Sequence, residues 1–281
     1  ERLRWASIDI ETPSVRVFAN RSIVDPINSR DDSLSNPDQA KRLESAITNN
    51  QRVHLERFSF AGSHQHSDKK NLTVWPLQLI FHNIGWYLAF EIDRPGEQRK
   101  LISTMRLDRL ALRRVEPKSR DPKDKEKAIS RLSKLMKISG GYIYFGNDME
   151  MQYLLTDEDS DKKNKGLITL KFLANKQIYR YLREGVSRYP LTQLRISKPL
   201  SSDNWKPPKK TKNGPFVLEP MENTKYPYPI EIDLPPWTIK TDNDFRKWLF
   251  GFGSGITIQE PSFLINEIKN NVKRIGKLYK K

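Results

Sequence analysis

Cysteine is absent from all 281 residues, which removes disulfides, thiolate metal sites and cysteine nucleophiles together. Long apolar runs are missing too: no stretch approaches the roughly 18 residues that a membrane-spanning helix needs. No secretory pattern is visible, so a cytoplasmic setting without a membrane partner is expected. The phosphate-cradling glycine loops, the Gly-x-Ser-x-Gly elbow and the His-Glu-x-x-His zinc motif are all lacking. No cofactor and no catalytic residue is therefore assigned, and the chain reads as a binding protein rather than an enzyme. A metal-independent ribonuclease built on His with Lys or Tyr is the one enzymatic alternative that leaves so little trace. Acidic residues are also few beside basic ones, 34 against 50, a net charge of +16. A surplus of that size attracts polyanions, and phosphate contacts supply most non-specific nucleic-acid affinity. The chain starts at Glu1 and its first methionine is Met105, so the natural N-terminus is expected to lie outside it.

Residues 1–35 mix short apolar stretches with Asp, Asn and Ser and are left unassigned. Asn36 reads as an N-cap, Pro37 as the first helical residue and Gln39 as the partner in a loose capping box. Leu43, Ala46 and Ile47 then repeat at helical spacing, and Asn49-Asn50 ends the helix. From Gln51 to about Val115 the pattern is β: Gln51–Phe60, Leu72–Phe81, Trp86–Ile92 and Leu101–Val115. Short strands at this spacing suggest a small barrel or strongly bent sheet, not a βαβ unit. A charged linker at 117–127 leads into a helix from Asp121-Pro122, stopped by Gly140-Gly141. The second half restarts as a strand at Gly166–Leu173, followed by a short helix at Lys176–Arg183. A Pro- and Lys-rich insertion at roughly 197–225 is expected to be mobile. Ile230, Ile232 and Leu234 alternate as a strand, and Thr241 with Asp244 forms a capping box for the helix carrying Phe245, Trp248 and Leu249. Gly255–Gln259 is a last strand. The closing helix starts near Ser262 and carries one stripe of Leu264, Ile268, Val272, Ile275 and Tyr279.

Two blocks in this order resemble the WYL-domain family. The first is Val74-Trp75-Pro76, then Gly85-Trp86-Tyr87-Leu88, then Met105-Arg106-Leu107-Asp108-Arg109-Leu110. The second is Phe245-Arg246-Lys247-Trp248-Leu249-Phe250-Gly251-Phe252-Gly253 with the strand and helix after it, which looks like the extension that follows such a domain. The resemblance implies an α+β chain: a WYL domain with an SH3/Sm-like small β-barrel at 36–116, a helical linker at 117–141 and an α/β C-terminal extension at 142–281. It further implies a homodimer in which the extension takes part, and a transcription regulator that senses a nucleotide or single-stranded nucleic acid, often beside phage-defence loci such as CRISPR. Regulators of this kind hold DNA through a module not seen in this chain, one that is absent or lies before Glu1. Arg57 stands where the family often has Tyr, and Leu72 and Thr73 where it often has Arg, which implies a ligand pocket of altered charge. A constitutive single-strand binder serving a CRISPR-type complex is the alternative in the same chemical class.

Arginine suits such a pocket because its planar fork takes phosphate in bidentate fashion and stacks on bases. Arg106 and Arg109 are three apart, so on a regular strand they face opposite ways, one toward ligand and the other toward a partner such as Asp108. Trp75, Trp86 and Tyr87 are nearby aromatics. Adjacent Trp86 and Tyr87 must also face opposite ways, which puts one in the core and leaves Tyr87 for stacking. Arg57, Trp75, Tyr87, Arg106 and Arg109 form the expected binding set. His64 and His66 stand at i, i+2 in a polar loop, but no third ligand can be named for a metal. Asp157, Glu158, Asp159 and Asp161 sit beside Lys162 and Lys163 and read as a solvated turn.

Overall fold

The computed structural model describes residues 37–57, 70–82, 85–94, 96–185, 189–207 and 214–279. Asn36, His64 and His66, for which a cap and a metal site were considered, lie outside them, as does the segment 1–35. The chain is α+β and divides into two units, the described residues up to Lys134 with 143–153, and 135–142 with the described residues from Leu154 on. Among the described residues no helix is long and apolar enough to cross a membrane.

The first unit opens with helix α1 (Pro37–Thr48), whose Ala40, Leu43, Ala46 and Ile47 are buried. Asn50 ends it in the left-handed region at φ 53°, which Asn tolerates better than most residues. Five strands follow: β1 (Gln51–Arg57), β2 (Lys70–His82), β3 (Gly85–Ile92), β4 (Ile102–Arg106) and β5 (Leu110–Ser119). They pair in the order β4-β3-β2-β1-β5, every pairing antiparallel. Alternation puts Val53, Leu55, Val74, Leu79, Leu88 and Phe90 into one core with α1. Residues 117–119, the start of the expected charged linker, instead prolong β5, with Ser119 opposite Gln51.

The two edge strands, β4 and β5, are consecutive in the chain and are joined by one 3-10 turn, Leu107–Arg109. Four inter-strand steps would hold the edges of a flat sheet about 19 Å apart, whereas three 3-10 residues span about 6 Å. The sheet must therefore curl. β2 supplies the bend, because it leaves β1 and joins β3 at Val74 and its register slips between Pro76 and Gln78. No β4–β5 ladder closes the curl among the described residues, so what is observed is a curled sheet with two edges. One edge is capped by a side chain: Ile102 N donates to Gln152 Oε1 at 2.9 Å and Gln152 Nε2 returns a bond to Ile102 O at 2.7 Å. An amide used in this way blunts an edge strand against stray pairing.

Helix α2 (Pro122–Ile138) and helix α3 (Met149–Thr156) each run across the boundary between the units. Gly140 and Gly141, at φ 67° and 79°, terminate α2 as their sequence implies. In the second unit Asp159 caps the short helix α4 (Ser160–Gly166) by accepting from the backbone of Asp161 and Lys162. The acidic run thus holds a helix terminus.

Strands β6 (Ile168–Ala174), β7 (Leu194–Ser197), β8 (Phe216–Leu218), β9 (Tyr228–Leu234) and β10 (Ile256–Glu260) form a second sheet in the order β10-β6-β9-β7-β8. Helix α5 (Lys176–Glu184) crosses from β6 to β7, and α6 (Pro236–Lys240) with α7 (Asn243–Phe250) crosses from β9 to β10. Both β6 and β7 run antiparallel to β9. That is the split βαβ arrangement of ferredoxin-like domains. The cap of α7 is Asp242, not Thr241: the Asp242 carboxylate accepts from Asp244 N and Phe245 N, while the Thr241 hydroxyl donates to Trp237 O. A carboxylate at the positive end of a helix is the stronger acceptor of the two.

The described part of the 197–225 insertion is anchored, contrary to expectation. β8 pairs with β7, Asp203 accepts from the Tyr228 hydroxyl at 2.7 Å, and Arg183 lies 4.5 Å from the Trp205 ring centre. The last helix, α8 (Ser262–Leu278), buries Leu264 and leaves Val272 and Ile275 exposed, and Tyr279 at its C-cap is exposed as well.

Candidate functional site

The strand register decides which of the expected binding residues meet. Tyr87 on β3 stands opposite Arg106 on β4. Their side chains converge over Gly85, where a Cβ would lie 3.6 Å from a Tyr87 ring carbon and 3.7 Å from Arg106 Nε. The His82 ring meets the Tyr87 ring edge-on, centres 6.2 Å apart. Leu110, which follows the 3-10 turn, pairs with Arg57 at the end of β1. The backbone of Arg57 is therefore one strand spacing, about 5 Å, from that of Leu110, which itself follows Arg106 by about 8 Å, the rise of four residues in such a turn. Tyr87, Arg106, Arg109 and Arg57 thus share one rim of the curled sheet.

Arg106 and Arg109 do not sit on one regular strand with opposite faces. Leu107 turns into the core, 3% exposed, and the chain passes through a 3-10 turn that places Arg109 outside β4. Arg106 donates to both oxygens of Asp108, at 3.1 and 2.5 Å, so its charge is largely compensated. Arg57 and Arg109 are exposed, and among the described residues no carboxylate pairs with either. The rim offers two uncompensated guanidinium groups, one compensated group and a partly exposed aromatic ring. Such a set can hold phosphate oxygens and stack a base.

Trp75 belongs elsewhere. It lies opposite Glu91 on the face shared with Tyr87, but Tyr87 and Glu91 are four residues apart on β3, about 13 Å. Three cations ring the indole: Arg120 at 5.1 Å, Lys100 at 5.7 Å and Arg52 at 5.8 Å from its centre. Two of these cations, Lys100 and Arg52, donate to Asp93 at 2.5 and 2.7 Å. Burial alone would raise the Asp93 carboxyl, but hydrogen bonds from Lys100 and Arg52 outweigh that and hold it below the usual carboxylate range. Glu116 is lowered as well, chiefly by Arg52 and then by His54, whose Nε2 is 2.6 Å away. Trp75 is therefore the centre of a structural ion network.

Deeper in that network, Glu91 accepts from Arg120 at 2.5 Å and from Arg131 of α2 at 2.9 Å, all three nearly buried. The sequence gives no sign of this cluster, because its members are 29 and 40 residues apart. Among the described residues there is no group of three or more His, Cys, Asp or Glu able to hold a metal.

No protein-family model and no curated protein matches the sequence. Among solved structures the chain is similar to proteasome accessory factor B/C (PafBC) of Arthrobacter aurescens. The likeness covers 87% of this chain at 14% identity and a TM-score of 0.29. The chain spans 28% of the length of that protein. A superposition at that score defines neither a shared fold nor a shared activity.

Proposed function

We propose that the first unit is a sensor of the WYL type that binds a nucleotide or single-stranded nucleic acid on the rim formed by Arg57, Tyr87, Arg106 and Arg109. The observation that carries the proposal is the cross-strand pair of Tyr87 and Arg106, continued through the 3-10 turn to exposed Arg109 and to Arg57. Two segments of the first motif block, Gly85–Leu88 and Met105–Leu110, thereby form one surface with Arg57, on a chain of net charge +16. In this reading the curled sheet corresponds to the Sm-like barrel, the unit acts by binding rather than catalysis, and Trp75 stabilises it without touching ligand. The regulator acts as a homodimer on DNA through a further module, and the exposed apolar stripe of α8 supports a self-association surface. Occupancy shifts the regulator only if ligand binds one of its arrangements more tightly than the other. Transcription control and the link to phage defence rest on the family resemblance alone.

Fluorescence anisotropy with labelled single-stranded DNA, single-stranded RNA and duplex DNA across a salt series tests the reading. A single-strand preference that persists as salt rises is the expected result, since stacking is not screened. Equal affinity for all three that vanishes with salt would reduce the rim to net charge. Loss of the RNA strand itself, without metal, would replace the sensor by a ribonuclease.

A further inference from the structure

The second unit holds a cavity of about 290 Å³ between α5, α7 and the sheet. Its floor is aliphatic, with Ile196 of β7 and Ile230 of β9 among the lining residues. Its walls are Tyr181, Tyr189 and Trp248, and among the described residues the one ionisable acid or base that lines it, tyrosine aside, is Glu184. We infer that this cavity is a binding site for a small organic cation, an ammonium group on an apolar or aromatic body.

Three kinds of chemistry agree on the charge. Glu184 is a carboxylate with no cation paired to it among the described residues, on a chain that is otherwise strongly basic. It lies in the last turn of α5, where the free carbonyls carry partial negative charge and an acid is placed unfavourably. A ligand cation would relieve both. The basic residue of that turn, Arg183, is engaged with Trp205 instead. Aromatic rings supply the third contribution, since their faces attract ammonium groups, and alkylammonium ligands are commonly held among several of them.

The aromatic walls are braced. Phe252 lies 4.8 Å from Trp248 and 6.0 Å from Tyr181, edge-on to both, so the rings need little ordering on binding. The volume and the floor set the remaining terms. The cavity is at the small end of ligand sites, and among the described residues no Lys or Arg lines it, so of these a phosphate would meet a carboxylate and no cation. A bare metal ion would find one carboxylate and a hydrocarbon floor, which is poor ligation for any hard cation. A single ring or short alkyl body bearing one amine fits both the space and the charge. This site is independent of the arginine rim and opposite to it in ligand charge.

The test uses the full chain and three probes of one shape: phenethylammonium, phenethyl alcohol and hydrocinnamate. Calorimetry gives affinity, and heteronuclear NMR shows whether the perturbed amides lie on α5, β7 and α7. Phenethylammonium is expected to bind about tenfold more tightly than the alcohol, with hydrocinnamate weaker still. Glu184→Gln should bring the amine down to the level of the alcohol, and Tyr181→Ala should weaken both. Glu184 and Tyr181 are exposed, so both variants should fold as the parent does, a point checked by circular dichroism. Equal binding of the three probes, undiminished amine binding by Glu184→Gln, or no binding of the amine at millimolar concentration would overturn the inference.

Discussion

Replacing Glu91 by alanine should unfold the first unit more readily than any single change on its surface. Glu91 is 5% exposed and is the carboxylate that faces two nearly buried guanidinium groups. Arg120 is fixed by Trp75 beneath it and by Asn50, which accepts from its Nε at 2.9 Å. Arg131 is fixed over the Tyr153 ring at 4.2 Å and donates to the Lys100 carbonyl. Each already carries one buried N–H without an acceptor, Nη2 of Arg120 and Nε of Arg131. Arginine cannot lose its proton to escape, so removal of Glu91 leaves two buried positive charges uncompensated. Breaking a buried pair typically costs about 3–5 kcal/mol, a large share of the about 5–15 kcal/mol that holds a domain folded. Urea denaturation followed by tryptophan fluorescence measures it. Glu91→Gln, which keeps the shape and one acceptor, should lose about 1.5–3 kcal/mol, the range for hydrogen bonds to charged groups. The triple change Glu91→Leu, Arg120→Met, Arg131→Leu should recover most of the loss, because an apolar replacement removes the stranded charge as well. If Glu91→Ala fell within about 1 kcal/mol of the parent, as an exposed pair would, the buried-charge reasoning would be refuted.

Further outcomes follow from the same geometry. Gly140→Ala combines φ 67° with a Cβ that would sit 2.1 Å from a Tyr189 ring carbon, so the second unit should lose about 1–3 kcal/mol from the forced repacking, read by thermal melting. Asp108→Ala strips Arg106 of its compensating anion and should tighten nucleotide binding severalfold by calorimetry; weakened binding would mean that Asp108 orients the arginine for ligand. Trp75→Phe should lower stability while leaving single-strand affinity within about twofold, because stacking contributes roughly 1–3 kcal/mol only where a base reaches the ring. In the second unit, burial pushes the Asp233 carboxyl up, but hydrogen bonds from Arg195 and Thr169 pull it below the ordinary value of 3.8. A group lowered on folding stabilises above its unfolded pKa and loses that contribution as pH falls through its folded pKa. The parent should thus become less stable as pH drops from about 5 toward 2, and Asp233→Asn should flatten that part of the profile; an unchanged profile would dismiss the Arg195 pair as its source.

Elements whose signals are local were readable in the sequence. Pro37 and Asn50 bracket α1, Gly140-Gly141 closes α2, and the alternation of Ile230, Ile232 and Leu234 marks β9. The break between β4 and β5 was not read, although Asp108-Arg109 interrupts the alternation and spaces Leu107 and Leu110 three apart, because a single turn of 3-10 helix leaves so short a mark inside a run of strand-forming residues. The turn is imposed by the curl of the sheet, a long-range property. The cap at Asp242 was missed for a narrower reason: Thr241 and Asp242 both suit the position, and only the backbone path selects between them. Tyr87 and Arg106 were both in the expected binding set, but their cross-strand pairing is visible only in the register. Trp75 was grouped with them because it is close in sequence, yet strand pairing separates residues that one pattern joins. The Glu91 cluster and the cavity at Glu184 are made by side chains from distant elements, which leave no mark in any single stretch.

In the proposed function, exposed Arg57 and Arg109, on the rim with Tyr87, hold phosphates of a bound strand. The salt dependence of single-strand affinity tests it most directly. Removing one arginine–phosphate pairing should reduce the slope of log affinity against log salt by about 0.7. The Arg57→Ala, Arg109→Ala double variant should therefore bind more weakly at low salt, with a slope shallower by about 1.4 than the parent. A parallel line, with slope and affinity unchanged, would place the bound strand elsewhere on this chain and contradict the account.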